Sequence, residues 1–217
     1  MRLAYREYGG AGAPVVLLHG LAGDADEWAE TAERLRERHR VVALDARGHG
    51  RSERLPADVS RAAHVADVAF VIEQLGLAPV ALIGQSLGGH TAMLVAAERP
   101  DLVASLVLAE AGPAEDSSAP AAVEEALRRR QDLPFDVDVM VRTLREAVGR
   151  SYWEEWERIE CPTLIVRGGD GTMSPAEAEA MLERRPETRL VEIPGAGHDL
   201  HLDRPAEWAR TVADFLG

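Results

Sequence analysis

One cysteine, Cys161, stands in a chain of 217 residues. A lone thiol forms no intramolecular disulfide and supplies no cysteine pair for a metal, so we read it as a buried thiol and expect no metal site. Long apolar runs are also missing. The opening MRLAYREYGG is charged throughout, and no later stretch reaches the roughly 20 residues that span a bilayer, which predicts a cytoplasmic protein without a membrane partner. Positive charge is scarce: Lys and Arg number 24 against 37 Asp and Glu, a net charge of −13. That field repels phosphate backbones and points away from nucleic acid; its plain role is solubility. No internal repeat or low-complexity tract occurs. Oligomeric state is not written in the sequence.

What the chain does contain is alternation. Apolar runs predict strands near Arg2–Tyr8, Val15–His19, Val41–Asp45, Val80–Ile83, Val103–Ala109, Thr163–Arg167 and Arg189–Ile193. Between them, Asp26–His39, Arg61–Leu75, Leu87–Glu98, Pro175–Arg185 and Pro205–Leu216 place apolar residues at steps of three and four, the period of helices. Such an order predicts one α/β domain over residues 1–217, a mostly parallel twisted sheet with helices on both faces. The first strand alternates in polarity and is expected at an edge, antiparallel to the rest. Gly112–Glu160 breaks the pattern, with Pro113, Pro120, Pro134, the pair Ser117-Ser118, the run Arg128–Arg130 and two amphipathic segments, and reads as an inserted helical cap.

The chemistry concentrates in Gly84-Gln85-Ser86-Leu87-Gly88, a G-x-S-x-G placed between a strand and a helix. A tight strand-to-helix turn forces the serine into strained backbone and thrusts its hydroxyl outward, and glycines two before and two after leave room for it. Ser86 also sits where a helix N-terminus favours developing negative charge. A serine nucleophile needs a base. His198 ends the glycine-rich loop after the last strand, at the sheet edge where Ser86 also emerges. The base needs a carboxylate to fix its tautomer. Asp170, after the sixth strand, is the first candidate, and Glu110, just past the fifth, is the alternative. Two backbone N–H groups should hold the oxyanion, those of Leu87 and of Leu21 in the loop His19-Gly20-Leu21-Ala22-Gly23. His19, Gly20, Gln85, Trp28, Phe135, Trp153 and Trp156 are candidate pocket residues, although aromatics near a cap are more often core, and the four-residue spacing of Tyr152 and Trp156 supports that reading.

Together these residues resemble the α/β-hydrolase superfamily nearly end to end. The stretch Asp45-Ala46-Arg47-Gly48-His49-Gly50-Arg51-Ser52 looks like that family's loop after its third core strand, and Gly197-His198 with Arg204-Pro205 looks like its histidine loop. The resemblance implies the α/β-hydrolase fold, a triad of Ser86, Asp170 and His198, oxyanion donors Leu21 and Leu87, and a cap over the pocket from Gly112 to Glu160. The acid loop, Gly168-Gly169-Asp170-Gly171-Thr172-Met173-Ser174-Pro175, departs from the family by being short and glycine-rich. Serine at the elbow implies acyl transfer to water without a cofactor. Small to medium carboxylic esters are the expected small-molecule substrates. Lactonase, carbon–carbon hydrolase and perhydrolase chemistry use the same triad, and a slow-turnover, receptor-like ligand binder is the reading from another class.

Overall fold

The computed structural model describes residues 1–114, 120–129 and 133–217. Ser117, Ser118 and Arg130 lie outside the described residues. Seven strands form one sheet: β1 (Ala4–Gly9), β2 (Ala13–Leu18), β3 (His39–Asp45), β4 (Val80–Gln85), β5 (Val103–Ala109), β6 (Thr163–Gly168) and β7 (Arg189–Ile193). Their spatial order is β1-β3-β2-β4-β5-β6-β7, with β1 antiparallel to β3 and every other pair parallel. The expected edge strand is thus an edge strand, with Ala4 and Tyr8 half-buried and Tyr5, Arg6 and Glu7 exposed.

Successive residues of the central strands point to opposite faces, and each face has its own core. Val16, Leu18, Leu82 and Leu106 pack against α2 (Arg61–Gln74), α3 (Leu87–Glu98) and α7 (Pro175–Arg184). Val15, Leu17, Ile83 and Val107 pack against α1 (Ala29–Leu35) and α9 (Pro205–Leu216), with Trp28 and Trp208 fully buried among them. Helix starts follow local chemistry: the Ser60, Asp136 and Ser174 side chains each accept from the N–H three residues on, and Pro175 occupies the first turn of α7.

Several expectations shift. Asp26–His39 is a 3-10 turn over Ala25–Trp28 followed by a short α1, because His39 is taken by the β2–β3 ladder opposite Ala13. A single helical turn, α8 (Leu200–Asp203), follows His198; four residues are too few to show a helical period. The insertion divides in two. Helices α4 (Pro120–Arg129) and α5 (Val137–Arg145) form a separate small cluster in which Leu127, Phe135, Val139 and Met140 are buried. The third helix, α6 (Trp153–Glu157), belongs to the main core: Trp156 is fully buried and its Nε1 donates to the Met181 carbonyl. Tyr152 and Trp156 thus pack in the main core and not with the α4–α5 cluster. Cys161 is free but only half-buried, and burial pushes its thiol pKa up.

Candidate active site

At the carboxyl edge of the sheet β4 runs straight into α3 through Ser86, whose backbone sits at φ 49°, ψ −115°. Few non-glycine residues adopt a positive φ, and such strain persists only where the surroundings impose it. They do so here. The Ser86 N–H donates to the Ala109 carbonyl at 2.9 Å, and its own carbonyl accepts from the His90 N–H at 2.9 Å. A methyl group on Gly84 would strike the Gly88 carbonyl, and one on Gly88 would strike the Leu18 and His19 carbonyls. Both motif glycines are thus dictated by backbone approaching backbone.

A cavity of about 680 Å³ opens over this turn, and Ser86, Leu87, Leu21, Gln85, Glu110 and His198 are all on its wall. Parallel pairing sets Gln85 opposite Ala109, so Ser86 and Glu110 are the next residues on neighbouring strands. Glu110 also has positive φ, 50°, with its N–H donating to the Val166 carbonyl. Its carboxylate is buried and enclosed by the loop after β6. Oε1 accepts from the Gly168 N–H at 2.7 Å, and Oε2 accepts from the N–H groups of Thr172 at 2.5 Å and Met173 at 3.0 Å. Burial alone would raise the Glu110 pKa, but the contact with His198 and these backbone donors outweigh it and hold the carboxyl below its ordinary value.

The structure sets Glu110, and not Asp170, against His198: Nδ1 lies 3.6 Å from Glu110 Oε2. The Asp170 side chain is exposed, and its backbone N–H is committed to the Ala196 carbonyl. The physical reason is the short loop. It turns tightly through the Gly171 N–H to the Gly168 carbonyl, and Gly171 lies so close to the Glu110 carboxylate that a methyl group there would overlap it. The Thr172 hydroxyl stands between the two partners, 2.8 Å from His198 Nδ1 and 3.1 Å from Glu110 Oε2.

Gln85 ties the histidine loop to the elbow, its Nε2 donating to the His198 carbonyl at 2.9 Å and to Asp199 Oδ1 at 3.2 Å. His19 is buried behind the site. Its Nε2 accepts from the Ala46 N–H, so Nδ1 carries the proton and donates to the Gly20 carbonyl at 2.7 Å. Gly20 packs directly against the Gln85 side chain. The four aromatic candidates lie away from the cavity. Trp28 stacks on His201 under the sheet, Trp156 fills the core beside α3, Trp153 lies under Arg184, and Phe135 sits in the small cluster with Val139 and Met140. Their bulk is spent on packing. Arg61, His90, Thr172 and Glu177 line the cavity and were not foreseen; His90, one turn along α3 from Ser86, had a readable spacing, whereas the others depend on tertiary approach. The Asp45–Ser52 loop is a brace beside the site. Asp45 accepts from the Ala25 N–H and from Arg51, while Arg47 binds Asp67 and the carbonyls of Asp58 and Ala63.

A family model described as the α/β hydrolase fold matches residues 13–155, more than half of the chain. The sn-1-specific diacylglycerol lipase ABHD11 of Mus musculus is 30% identical, the match covering 93% of this chain and 80% of that protein. The (E)-2-((N-methylformamido)methylene)succinate hydrolase of Acinetobacter baylyi is 27% identical over 95% of this chain and 91% of its own. Among solved structures, an esterase from a marine microorganism superposes with a TM-score of 0.82 at 25% identity, covering 99% of both chains. Among the described residues no helix is long and apolar enough to cross a membrane. With the strained serine turn, the seven-stranded sheet and these matches together, the chain belongs to the α/β-hydrolase fold family of hydrolytic enzymes.

Proposed function

We propose that this protein is a serine hydrolase that cleaves small to medium carboxylic esters through an acyl-enzyme, with Ser86 as nucleophile, His198 as general base and Glu110 as the acid that orients it. The observation that carries the reading is the shared cavity wall, where the Ser86 turn meets an imidazole whose Nδ1 faces a buried, ionised carboxylate. His198 Nε2 takes the proton as Ser86 Oγ attacks the carbonyl carbon, and returns it to the departing alkoxide. Water then attacks the acyl carbon as it gives a proton to the same nitrogen, and the bond to Ser86 Oγ breaks as that proton passes to Oγ, which frees the acid.

Glu110 stabilises the imidazolium formed in each step without accepting its proton, since its own pKa is held low. The oxyanion is assigned to the N–H groups of Leu87 and Leu21. The His19 bond to the Gly20 carbonyl supports the second: in the trans peptide that follows, the Leu21 N–H points opposite to that carbonyl. Removing such a donor typically slows turnover by 10²–10³-fold. A cavity of about 680 Å³ lies within the range that encloses small organic ligands.

Turnover of a chain-length series of chromogenic esters tests the assignment, with labelling by a fluorophosphonate as an independent readout of Ser86. Ser86→Ala should abolish labelling and lower turnover by about 10³-fold or more. Glu110→Gln should lower kcat by roughly 10²–10⁴-fold, while Asp170→Asn stays within about threefold of wild type. The larger loss in Asp170→Asn would move the acid back to the loop after β6. Lactones and β-diketone acids complete the panel, because the Acinetobacter relative carries the name of a succinate-derivative hydrolase rather than of an esterase. A folded wild type that neither reacts with the label nor turns over any of these would overturn the reading in favour of ligand binding.

A further inference from the structure

Between the proposed acid and base stands a group that the three-residue scheme does not use. Given the serine-hydrolase reading, on which this inference rests, we infer that the Thr172 hydroxyl is the positioning group that joins Glu110 to His198, making the array Ser86–His198–Thr172–Glu110. The direct separation of His198 Nδ1 and Glu110 Oε2, 3.6 Å, is longer than a hydrogen bond, whereas Thr172 Oγ1 lies 2.8 Å from the first and 3.1 Å from the second. Oε2 is also fully subscribed. It already accepts from the Thr172 N–H, the Met173 N–H and the Thr172 hydroxyl, so a direct bond from the imidazole would have to displace one of these three.

Counting protons fixes the direction of the chain. A threonine hydroxyl has one proton, and the ionised carboxylate only accepts, so that proton lies on the line to Oε2. The oxygen then offers lone pairs alone to His198, and Nδ1 must carry a proton and donate it. The ring is thereby held in the tautomer whose Nε2 is unprotonated, the form a base needs. When Nε2 takes the serine proton, the imidazolium meets a hydroxyl oxygen already polarised by the buried carboxylate. No proton crosses to Glu110.

The loop is built for this placement. The Thr172 N–H anchors on the same Oε2 that its hydroxyl addresses, so backbone and side chain share one acceptor, and the β-branched side chain has few alternative rotamers. Threonine keeps the hydroxyl fixed at the cavity rim, where the residue is otherwise exposed.

Thr172→Val removes the hydroxyl while keeping the side-chain shape and the backbone N–H, and Thr172→Ser restores the hydroxyl alone. Both are compared with wild type in melting temperature, ester kinetics and the ring ¹⁵N spectrum of His198. The Val variant should melt as wild type does, lose about 10–100-fold in kcat with KM within about twofold, and move the acid limb of kcat/KM to lower pH, since the imidazolium has lost its acceptor. Its ¹⁵N spectrum should show the two tautomers mixed, where wild type shows Nδ1–H. Thr172→Ser should recover wild-type tautomer and acid limb and come within about threefold in kcat. A Val variant with wild-type kcat, limb and tautomer would overturn the inference and return the Nδ1 proton to Glu110 directly. A Ser variant as impaired as Val, with the limb unmoved in both, would reduce Thr172 to packing. The ¹⁵N readout needs no substrate, so it decides the tautomer even if the ester reading fails, and that failure is read separately from fluorophosphonate labelling of wild type.

Discussion

Ala22, Ser86 and Glu110 hold positive φ, at 65°, 49° and 50°, and two of these three are the proposed nucleophile and acid. Backbone of this kind costs of order 1–3 kcal/mol per residue, and the site holds it against relaxation with the Ser86 bond to Ala109 and the Glu110 bond to Val166. Ser86→Gly should therefore raise stability by about 1 kcal/mol in urea titration while eliminating turnover, because glycine adopts the turn without strain. Gly88→Ala should act in the opposite sense. Its new methyl group would meet the Leu18 and His19 carbonyls, costing about 1–3 kcal/mol and displacing the Leu87 N–H, so stability and kcat should fall together. That Ser86, Leu87 and His198 meet at one cavity was legible in sequence because their signals are local: a spacing, a glycine pair, a loop after a strand. The choice between Asp170 and Glu110 was not, because it turns on which residue lies beside Ser86 across the β4–β5 register and on how a loop 60 residues away folds around a carboxylate.

At the scale of elements, strands β5 and β7 and helices α3 and α9 fall at the bounds their apolar periods predict, since burial on one or both faces wrote the pattern. The insertion was harder to read, because a helix that covers a cavity and a helix that fills a core are both amphipathic. Tyr152 and Trp156 carried the distinction in their spacing. Trp156→Ala should cost about 3–5 kcal/mol in denaturant titration and leave KM unchanged, whereas a cap role would move KM first. The α4–α5 segment is fastened differently. Arg54 donates to the Pro134 and Phe135 carbonyls and Arg142 to the Ala57 carbonyl, so side chains from both sides bond backbone across the seam. Replacing Arg54 and Arg142 together by alanine should raise KM by about two- to fivefold and speed hydrogen exchange in α5, with the denaturation midpoint of the sheet within about 1 kcal/mol of wild type.

For the whole molecule, two buried histidines make the fold sensitive to acid. Burial drives the imidazole pKa values of His49 to about 3 and of His64 to about 2, far below the ordinary 6.5. The unfolded chain binds protons at these residues below about pH 6.5 while the folded chain refuses them, so stability is present above that value and falls as pH drops toward 3. Each such histidine contributes a slope of up to about 1.4 kcal/mol per pH unit. His64→Leu should flatten the profile measured by urea titration between pH 6 and 4, and an unchanged slope would show that carboxylates such as Asp45 govern acid unfolding instead. The register that puts Ser86 beside Glu110 also bears on heat. Both residues hang on the central ladder through their own N–H groups, while His198 rides on a loop held by the Gln85 amide and by the Gly197 N–H to Asp203. Two members of the site thus share one frame and the third is a guest on it. Warming should release the guest first: the half-life of activity will be shorter than that of the sheet, and recovery on cooling will require the histidine loop to dock again, not the chain to fold again.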